Sequence, residues 1–193
     1  MKIPAFITVR TGSTRLPKKC LMPFGEGNVL EHVIKRALYF DFDPIVCTTV
    51  LPEDDVIEKI AKKEGCKVFR GSVEDIPKRW EGACVKFGIK WFYAIDADDL
   101  FFEPHKSHPH KYIGDWKDTA EGYTSCLNHI RLTLDYKEDY WMLCTVLRCL
   151  GHFATGEEIV DLFHRNPDLH KINWFRQQDY KENQEQKSRE INE

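Results

Sequence analysis

The chain has 193 residues, 42% of them apolar, and a formal net charge of −3. That length and apolar content suit one domain around one core, and near-neutral charge excludes a general affinity for nucleic acid or membrane surfaces. Seven cysteines, odd in number and without a Cys-x-x-Cys pair, point to free thiols in a reducing compartment, with no support for a zinc site. Met1-Lys2 leads straight into an apolar segment and no apolar run approaches the ~20 residues of a membrane span. A cytoplasmic protein without leader or membrane anchor is therefore expected.

In chain order, Ile3 to Val9 reads as a short, buried strand of parallel type. A polar, basic loop follows. Asn28 caps a helix whose apolar positions Leu30, Val33, Ile34, Ala37 and Leu38 recur at helical spacing, and Asp43-Pro44 breaks it. Ile45 to Val50 reads as a second strand. Pro52-Glu53-Asp54-Asp55 opens a helix with proline and acids in its first turn, ending at Gly65. Lys67 to Arg70 is a third strand, Ile76 to Phe87 a helix closed by Gly88, and Trp91 to Ile95 a fourth strand. Four strands alternating with three helices make a mostly parallel sheet flanked by helices, an α/β fold. Beyond Pro104 the pattern weakens. Arg131 to Leu134 reads as a further strand, Asp139 to Leu150 as a helix, and Thr155 caps another through Phe163. The single domain is placed at residues 1–176, and the charged tail 177–193 as a solvated helix or disordered segment.

The loop after the first strand is the most informative stretch. It sets Arg10, Arg15, Lys18 and Lys19 around Gly12, Ser13 and Thr14. Successive backbone N–H groups in such a loop can converge on one anion oxygen, and arginine's planar fork matches phosphate geometry. The position also matters, because open α/β sheets bind ligands beyond the carboxyl ends of their strands. Neither a Walker loop nor a dinucleotide-binding glycine fingerprint is present. The bland alternative is a solvated basic turn.

Two further places carry chemistry. Asp96, Asp98 and Asp99 follow directly on the fourth strand; carboxylates packed so closely repel unless a cation relieves them, and oxygen ligands facing phosphates suit Mg²⁺. A helix cap or exposed acidic turn is the competing interpretation. At Arg70-Gly71-Ser72-Val73-Glu74-Asp75, Gly71 would allow a close backbone approach, and Ser72 caps the next helix with Asp75 three residues on. His105-Lys106-Ser107-His108-Pro109-His110 lacks a helical i, i+4 histidine pair and reads as a solvated loop. The five tryptophans read as core or rim packing.

Arg10-Thr11-Gly12-Ser13-Thr14-Arg15-Leu16-Pro17-Lys18-Lys19, then Gly25 and Leu30-Glu31-His32-Val33, resembles the signature of the nucleotide-sugar cytidylyltransferases. The similarity is to their spore-coat polysaccharide biosynthesis F branch and to 3-deoxy-manno-octulosonate cytidylyltransferases. Arg131-Leu132-Thr133-Leu134-Asp135 is similar to another family motif, with Lys137 where proline is usual, and Asp98 matches the Asp of a Gly-Asp-x-Pro motif whose glycine is here Ala97. The resemblance implies a Rossmann-like fold of the nucleotide-diphospho-sugar transferase (GT-A-like) kind, with a middle region near 105–128 that is short for the family. It implies transfer of CMP from CTP to an acidic sugar or other small anionic acceptor, with release of pyrophosphate, in surface polysaccharide biosynthesis. Arg10, Arg15 and Lys19 would hold the triphosphate, helped by Gly12, Ser13 and Thr14. Gly71 and Ser72 would lie against the nucleoside. Mg²⁺ would sit on Asp98 and Asp135, with Asp96 a further ligand. Homodimers are common among such proteins. A metal-dependent glycosyltransferase using Asp96-x-Asp98, or a non-catalytic nucleotide-binding relative, are the alternatives.

Overall fold

The computed structural model describes residues 2–103 and 130–192. The histidine-rich segment, Trp116 and Cys126 lie outside the described residues. The first strand, β1 (Ile3–Thr8), is followed by a small hairpin of β2 (Pro23–Phe24) and β3 (Gly27–Asn28), then by helix α1 (Val29–Tyr39). Strand β4 (Phe42–Thr49), helix α2 (Asp55–Lys63), strand β5 (Lys67–Gly71), helix α3 (Ile76–Phe87) and strand β6 (Tyr93–Asp96) complete the first half. Helices α4 (Lys137–Leu150), α5 (Gly156–Arg165) and α6 (Arg176–Asn192) follow.

The main sheet runs in the order β5-β4-β1-β6, with every neighbouring pair parallel. Alternation along β1 sorts its side chains. Ala5 and Ile7 enter a cluster with Leu30, Val33, Ile34 and Ala37 of α1 and Ile57 and Ala61 of α2. Phe6 enters the opposite cluster with Trp80, Ala83 and Cys84 of α3. The sheet is therefore covered on both faces, as a parallel sheet requires. A third cluster joins α4 and α5 to Leu100, Phe101 and Leu134. Helix α1 starts where expected: Asn28 Oδ1 accepts from Glu31 N at 2.9 Å and Glu31 Oε2 accepts from Asn28 N at 3.0 Å, a reciprocal cap.

Three element readings are corrected. Strand β4 begins at Phe42 and runs through Asp43-Pro44. Proline is tolerated because Pro44 pairs with Ala5 of β1 while β5 pairing begins one residue later, at Ile45 with Lys67; at Pro44 the strand is locally an edge. The fourth strand starts at Tyr93 and ends on Asp96, which puts that carboxylate at the sheet's carboxyl rim. Arg131 to Leu134 is not a strand, and its ladder is a single antiparallel bridge between Asp99 and Thr133. Arg131 is instead drawn into an ionic cluster described below. The described cysteines (20, 47, 66, 84, 144 and 149) are free thiols. Among the described residues no helix is long and apolar enough to cross a membrane.

The two halves are stitched by Arg36 of α1, which is fully buried. Its guanidinium donates to Phe102 O at 2.7 Å, Phe101 O at 3.3 Å, His152 O at 3.0 Å and Ala154 O at 2.8 Å. It thereby fixes the segment after β6 and the α4–α5 turn against α1. Arg36→Met keeps the bulk but strands four buried carbonyls, so it should cost about 3 kcal/mol or more of unfolding free energy. Urea denaturation of the two proteins measures that difference, and a midpoint unchanged from wild type contradicts the stitching role.

Candidate functional site

β1 has β4 on one side and β6 on the other: the chain runs from β1 outward to β4 and β5, then crosses back past β1 to β6, so the strand order reverses between β1 and β6. Such a switch point opens a crevice at the strands' carboxyl ends. Here the loop after β1 and the Asp96-Ala97-Asp98-Asp99 turn after β6 form its rims. A cavity of about 310 Å³ lies in this crevice, lined by Arg10, Gly12, Ser13, Thr14, Arg15, Lys19, Val73, Arg79, Asp96 and Asp98 among others. A second, of about 430 Å³, is bordered by Arg15, Asp96, Asp98, Asp99, Thr133, Asp135, Tyr180 and Gln184. Arg15, Asp96 and Asp98 belong to both, so the two cavities meet at the opposed charges.

The basic loop is held from below by Asp54, which is 1% exposed. Its Oδ1 accepts from Thr11 N at 2.8 Å and Thr11 Oγ1 at 2.7 Å, and its Oδ2 from Thr49 Oγ1 at 2.5 Å and Thr48 Oγ1 at 3.2 Å. Burial opposes ionisation of this carboxyl, but the donors from Thr49, Thr11 and Thr48 hold it below the usual carboxylate range. Thr11 O in turn accepts from Ser13 N at 2.9 Å and Lys18 N at 3.1 Å, with Lys18 in the left-handed region at φ 57°. The loop's backbone is therefore set by contacts beneath it. Gly12 has no protein atom within 4 Å of where a Cβ would stand, so its backbone faces open space in the cavity.

Opposite charges meet directly. Lys19 Nζ lies 2.7 Å from Asp98 Oδ2, 3.1 Å from Asp135 Oδ1 and 2.7 Å from Leu134 O. Arg15 Nη2 donates to Asp135 Oδ1 at 2.6 Å, and Arg131 Nη2 to Asp135 Oδ2 at 2.8 Å. Burial works against the Asp135 charge, but Lys19, Arg15 and Arg131 together hold its carboxyl below the usual range. Arg15 Nη1 is buried and has no hydrogen-bond partner among the described residues. The remaining acids behave in the opposite sense. Desolvation and the Asp98 charge push Asp96 up to about 6, and desolvation with Asp98 and Asp96 pushes Asp99 up to about 7. Both side chains still reach solvent, so the desolvation is that of an open crevice.

Most of the residues expected from the sequence converge here. Arg10, Gly12, Ser13, Thr14, Arg15, Lys19, Asp96 and Asp98 line the first cavity, and Asp135 lines the second. Gly71 and Ser72 stand behind the wall instead. A Cβ on Gly71 would come within 2.6 Å of Phe69 and 3.2 Å of Arg79, so this glycine serves close packing. Ser72 Oγ accepts from Asp75 N at 3.1 Å, while Asp75 itself caps α3. Val73, Glu74 and Ile76 face the cavity in their place. Sequence reading missed Arg79, which is 1% exposed. It donates to Ser72 O at 2.9 Å and Val73 O at 3.1 Å and fixes that wall. It also missed Asp54, which carried the ordinary signature of an acid at a helix start.

The acids offer an all-oxygen donor set suited to a hard cation. Asp96 and Asp98 fit one: Lys19 holds one oxygen of Asp98 but Asp96 remains crowded by the Asp98 charge, and magnesium needs few protein ligands because it keeps several waters. Asp135 fits less simply, since Arg15, Lys19 and Arg131 occupy both its oxygens. No group of three or more metal-binding side chains is gathered among the described residues.

Asp54→Ala should cost about 2–4 kcal/mol by leaving Thr11 N and three hydroxyls without their acceptor. The pH dependence has a definite sign. The carboxyl is depressed in the fold, so its contribution is complete above the unfolded value near pH ~4 and is lost as pH falls through the lower folded value. Thermal unfolding at pH 7 should show the full gap between wild type and variant, narrowing below pH ~4. A gap that stays constant down to pH ~2 contradicts an ionised Asp54.

Comparison with known proteins agrees with this arrangement. A family model described as cytidylyltransferase matches residues 5–146. An uncharacterized protein of Methanocaldococcus jannaschii is 40% identical over 86 residues, 43% of this chain and 35% of that protein, so the match spans about a third of that relative's length. The spore coat polysaccharide biosynthesis protein SpsF of Bacillus subtilis is 22% identical over 227 residues, covering 84% of this chain and 94% of its own. Among solved structures, a cytidylyltransferase from Leptospira borgpetersenii superposes with a TM-score of 0.67 at 22% identity, covering 88% of this chain and 96% of that one, a likeness of fold. The match across most of the chain and the loop-and-acid crevice lead to one conclusion: this chain belongs to the cytidylyltransferase family.

Proposed function

We propose that the protein transfers CMP from CTP to a hydroxyl of an acidic sugar or other small anionic acceptor, releasing pyrophosphate. The observation that carries this reading is the convergence of a braced cationic loop and a set of carboxylates on one crevice at the sheet's switch point. A polyanion seated there meets Arg10, Arg15 and Lys19 on one rim and the backbone of Gly12 at its base. The acceptor oxygen would attack the α-phosphorus from the second cavity. The bond to the bridging oxygen of the β-phosphate would break, and pyrophosphate would leave along the basic loop. Such a transfer asks chiefly for alignment and charge neutralisation.

Magnesium would be held by Asp98 and Asp96 and, when bound, would polarise the reacting phosphate. Lys19 has a double part. Its ammonium neutralises Asp98 and Asp135 in the free protein, and phosphate oxygens would draw it away, freeing Asp98 for the cation while Arg15 and Arg131 still hold Asp135. A role in surface polysaccharide biosynthesis rests on the likeness to the spore coat protein and extends this reading to a product.

Pyrophosphate release measured with four nucleoside triphosphates and a panel of sugar acids tests the reading. CTP-dependent release with at least one acceptor is expected, and no release with any pair contradicts it. With an active pair, Arg15→Ala and Asp98→Asn should each lower turnover at least about a hundredfold, equivalent to roughly 2–4 kcal/mol. Near-normal rates from either variant would show the roles to be misassigned. Gly12→Ala is a sharper probe, because its methyl meets no protein atom. It should leave the melting temperature unchanged while weakening CTP binding about tenfold, as read by calorimetry; unaltered affinity would place the triphosphate elsewhere.

A further inference from the structure

The C-terminal helix α6 is strongly polar, with a composition that suggests a solvated tail. Its first half is nevertheless keyed to the site. Arg176 forms a two-pronged pair with Glu138 of α4, at 2.9 and 3.0 Å. Gln177 Oε1 accepts from Arg131 Nη1 at 3.2 Å, and Asn183 Nδ2 donates to Tyr136 Oη at 3.2 Å. Between them, the half-buried Tyr180 presents its ring to two guanidinium groups, Arg15 at 5.3 Å and Arg131 at 4.9 Å. Arg15 also lies 5.8 Å from the Tyr136 ring. Tyr180 and Gln184 border the second cavity.

We propose that α6 is a working wall of the acceptor side of the crevice and that Tyr180 is a positioning residue for Arg15. Arg15 reaches the site from a loop, on a long side chain with several free torsions. One ion pair to Asp135 fixes one of its nitrogens but not the plane of its guanidinium. Two aromatic faces fix the plane, since a cation is attracted to the ring face. With the plane set, the guanidinium keeps Nη2 on Asp135 while Arg15 lines both cavities, so a ligand there meets an arginine that is already ordered. Without Tyr180 the guanidinium would be free to rotate toward solvent and satisfy itself with water. The polar outer face of α6 keeps the helix soluble, while the turn carrying Tyr180 faces inward. The functional significance of this contact rests on the proposed cytidylyl transfer; the contact itself does not.

The experiment is footprinting of arginines with a guanidine-specific dicarbonyl reagent, read residue by residue by mass spectrometry, on the full chain. Tyr180→Leu keeps bulk without a π face, Tyr180→Ala removes both, and Tyr180→Phe keeps the ring. Modification of Arg15 should be about threefold to fivefold faster in Tyr180→Leu and Tyr180→Ala than in wild type, and unchanged in Tyr180→Phe. Buried Arg36 should stay protected throughout, which separates a local release from unfolding. Equal Arg15 rates in wild type and Tyr180→Leu, or a Tyr180→Phe rate as fast as that of Tyr180→Ala, overturn the inference. Protection of wild-type Arg15 by CTP with Mg²⁺ is a separate arm. Its failure would count against the proposed reaction while leaving the effect of Tyr180 on Arg15 to stand or fall on its own.

Discussion

Asp135 is the charge around which the second half of the chain is organised. It is 1% exposed, and an isolated carboxylate so placed would be costly or neutralised. It stays ionised because Arg15, Lys19 and Arg131 converge on its two oxygens. Arg131 also pairs with Asp139. The Asp139 carboxylate accepts from the backbone N–H groups of Asp135 and Tyr136 and caps the start of α4. Asn173 donates to Asp139 and to Arg131 O. The loop after β1, the segment before α4 and the approach to α6 are thus tied through one buried anion. Removing any of these cations leaves part of a buried charge uncompensated, while the geometry itself fixes where Arg15 and Lys19 stand.

This network explains which parts of the molecule were legible in the sequence. The parallel sheet was, because β1, β4 and β5 are apolar runs separated by helices with the expected spacing. The basic loop was, because its charges and small residues are contiguous. Asp135 could be picked out only through a family motif. In the bare sequence it looks like a helix cap, and its three partners are 116 or more residues away for Lys19 and Arg15 but four for Arg131. Asp54 and Arg79 escaped for the same reason: an acid in the first turn of a helix and an arginine on a helix face are ordinary, and only tertiary contact makes them braces. The Arg131 to Leu134 segment misled because alternating apolar residues mimic a strand, whereas its Leu134 is consumed by the α4–α5 cluster and its arginine by the anion.

The tail misled in another way. Hydropathy averages over a helix, and α6 places few groups inward. Those few are Arg176, Gln177, Tyr180, Asn183 and Gln184, spaced by one, three, three and one residues, which is one face of a helix. The face is polar and aromatic, so no apolar stripe marks it. A helix can dock through ion pairs, amide contacts and ring–guanidinium stacking, and composition alone cannot distinguish that from solvation. The partners make the difference: each contact lands on a residue already fixed by Asp135 or by α4.

The free protein meets the problem of keeping cations and anions in one crevice by pairing them. An ammonium between Asp98 and Asp135 costs little, since each charge stabilises the other in a partly dehydrated setting. On the proposed reading, phosphate would draw the lysine from these carboxylates and a metal would take its place on Asp98, so binding would not first create a buried unpaired charge. Asp96 and Asp99 stand outside the pairing, and desolvation together with the neighbouring carboxylates raises their carboxyls while Lys19, Arg15 and Arg131 depress that of Asp135. On the proposed reading, a complex of cation and phosphate would meet the crowded carboxylates and the basic loop at once.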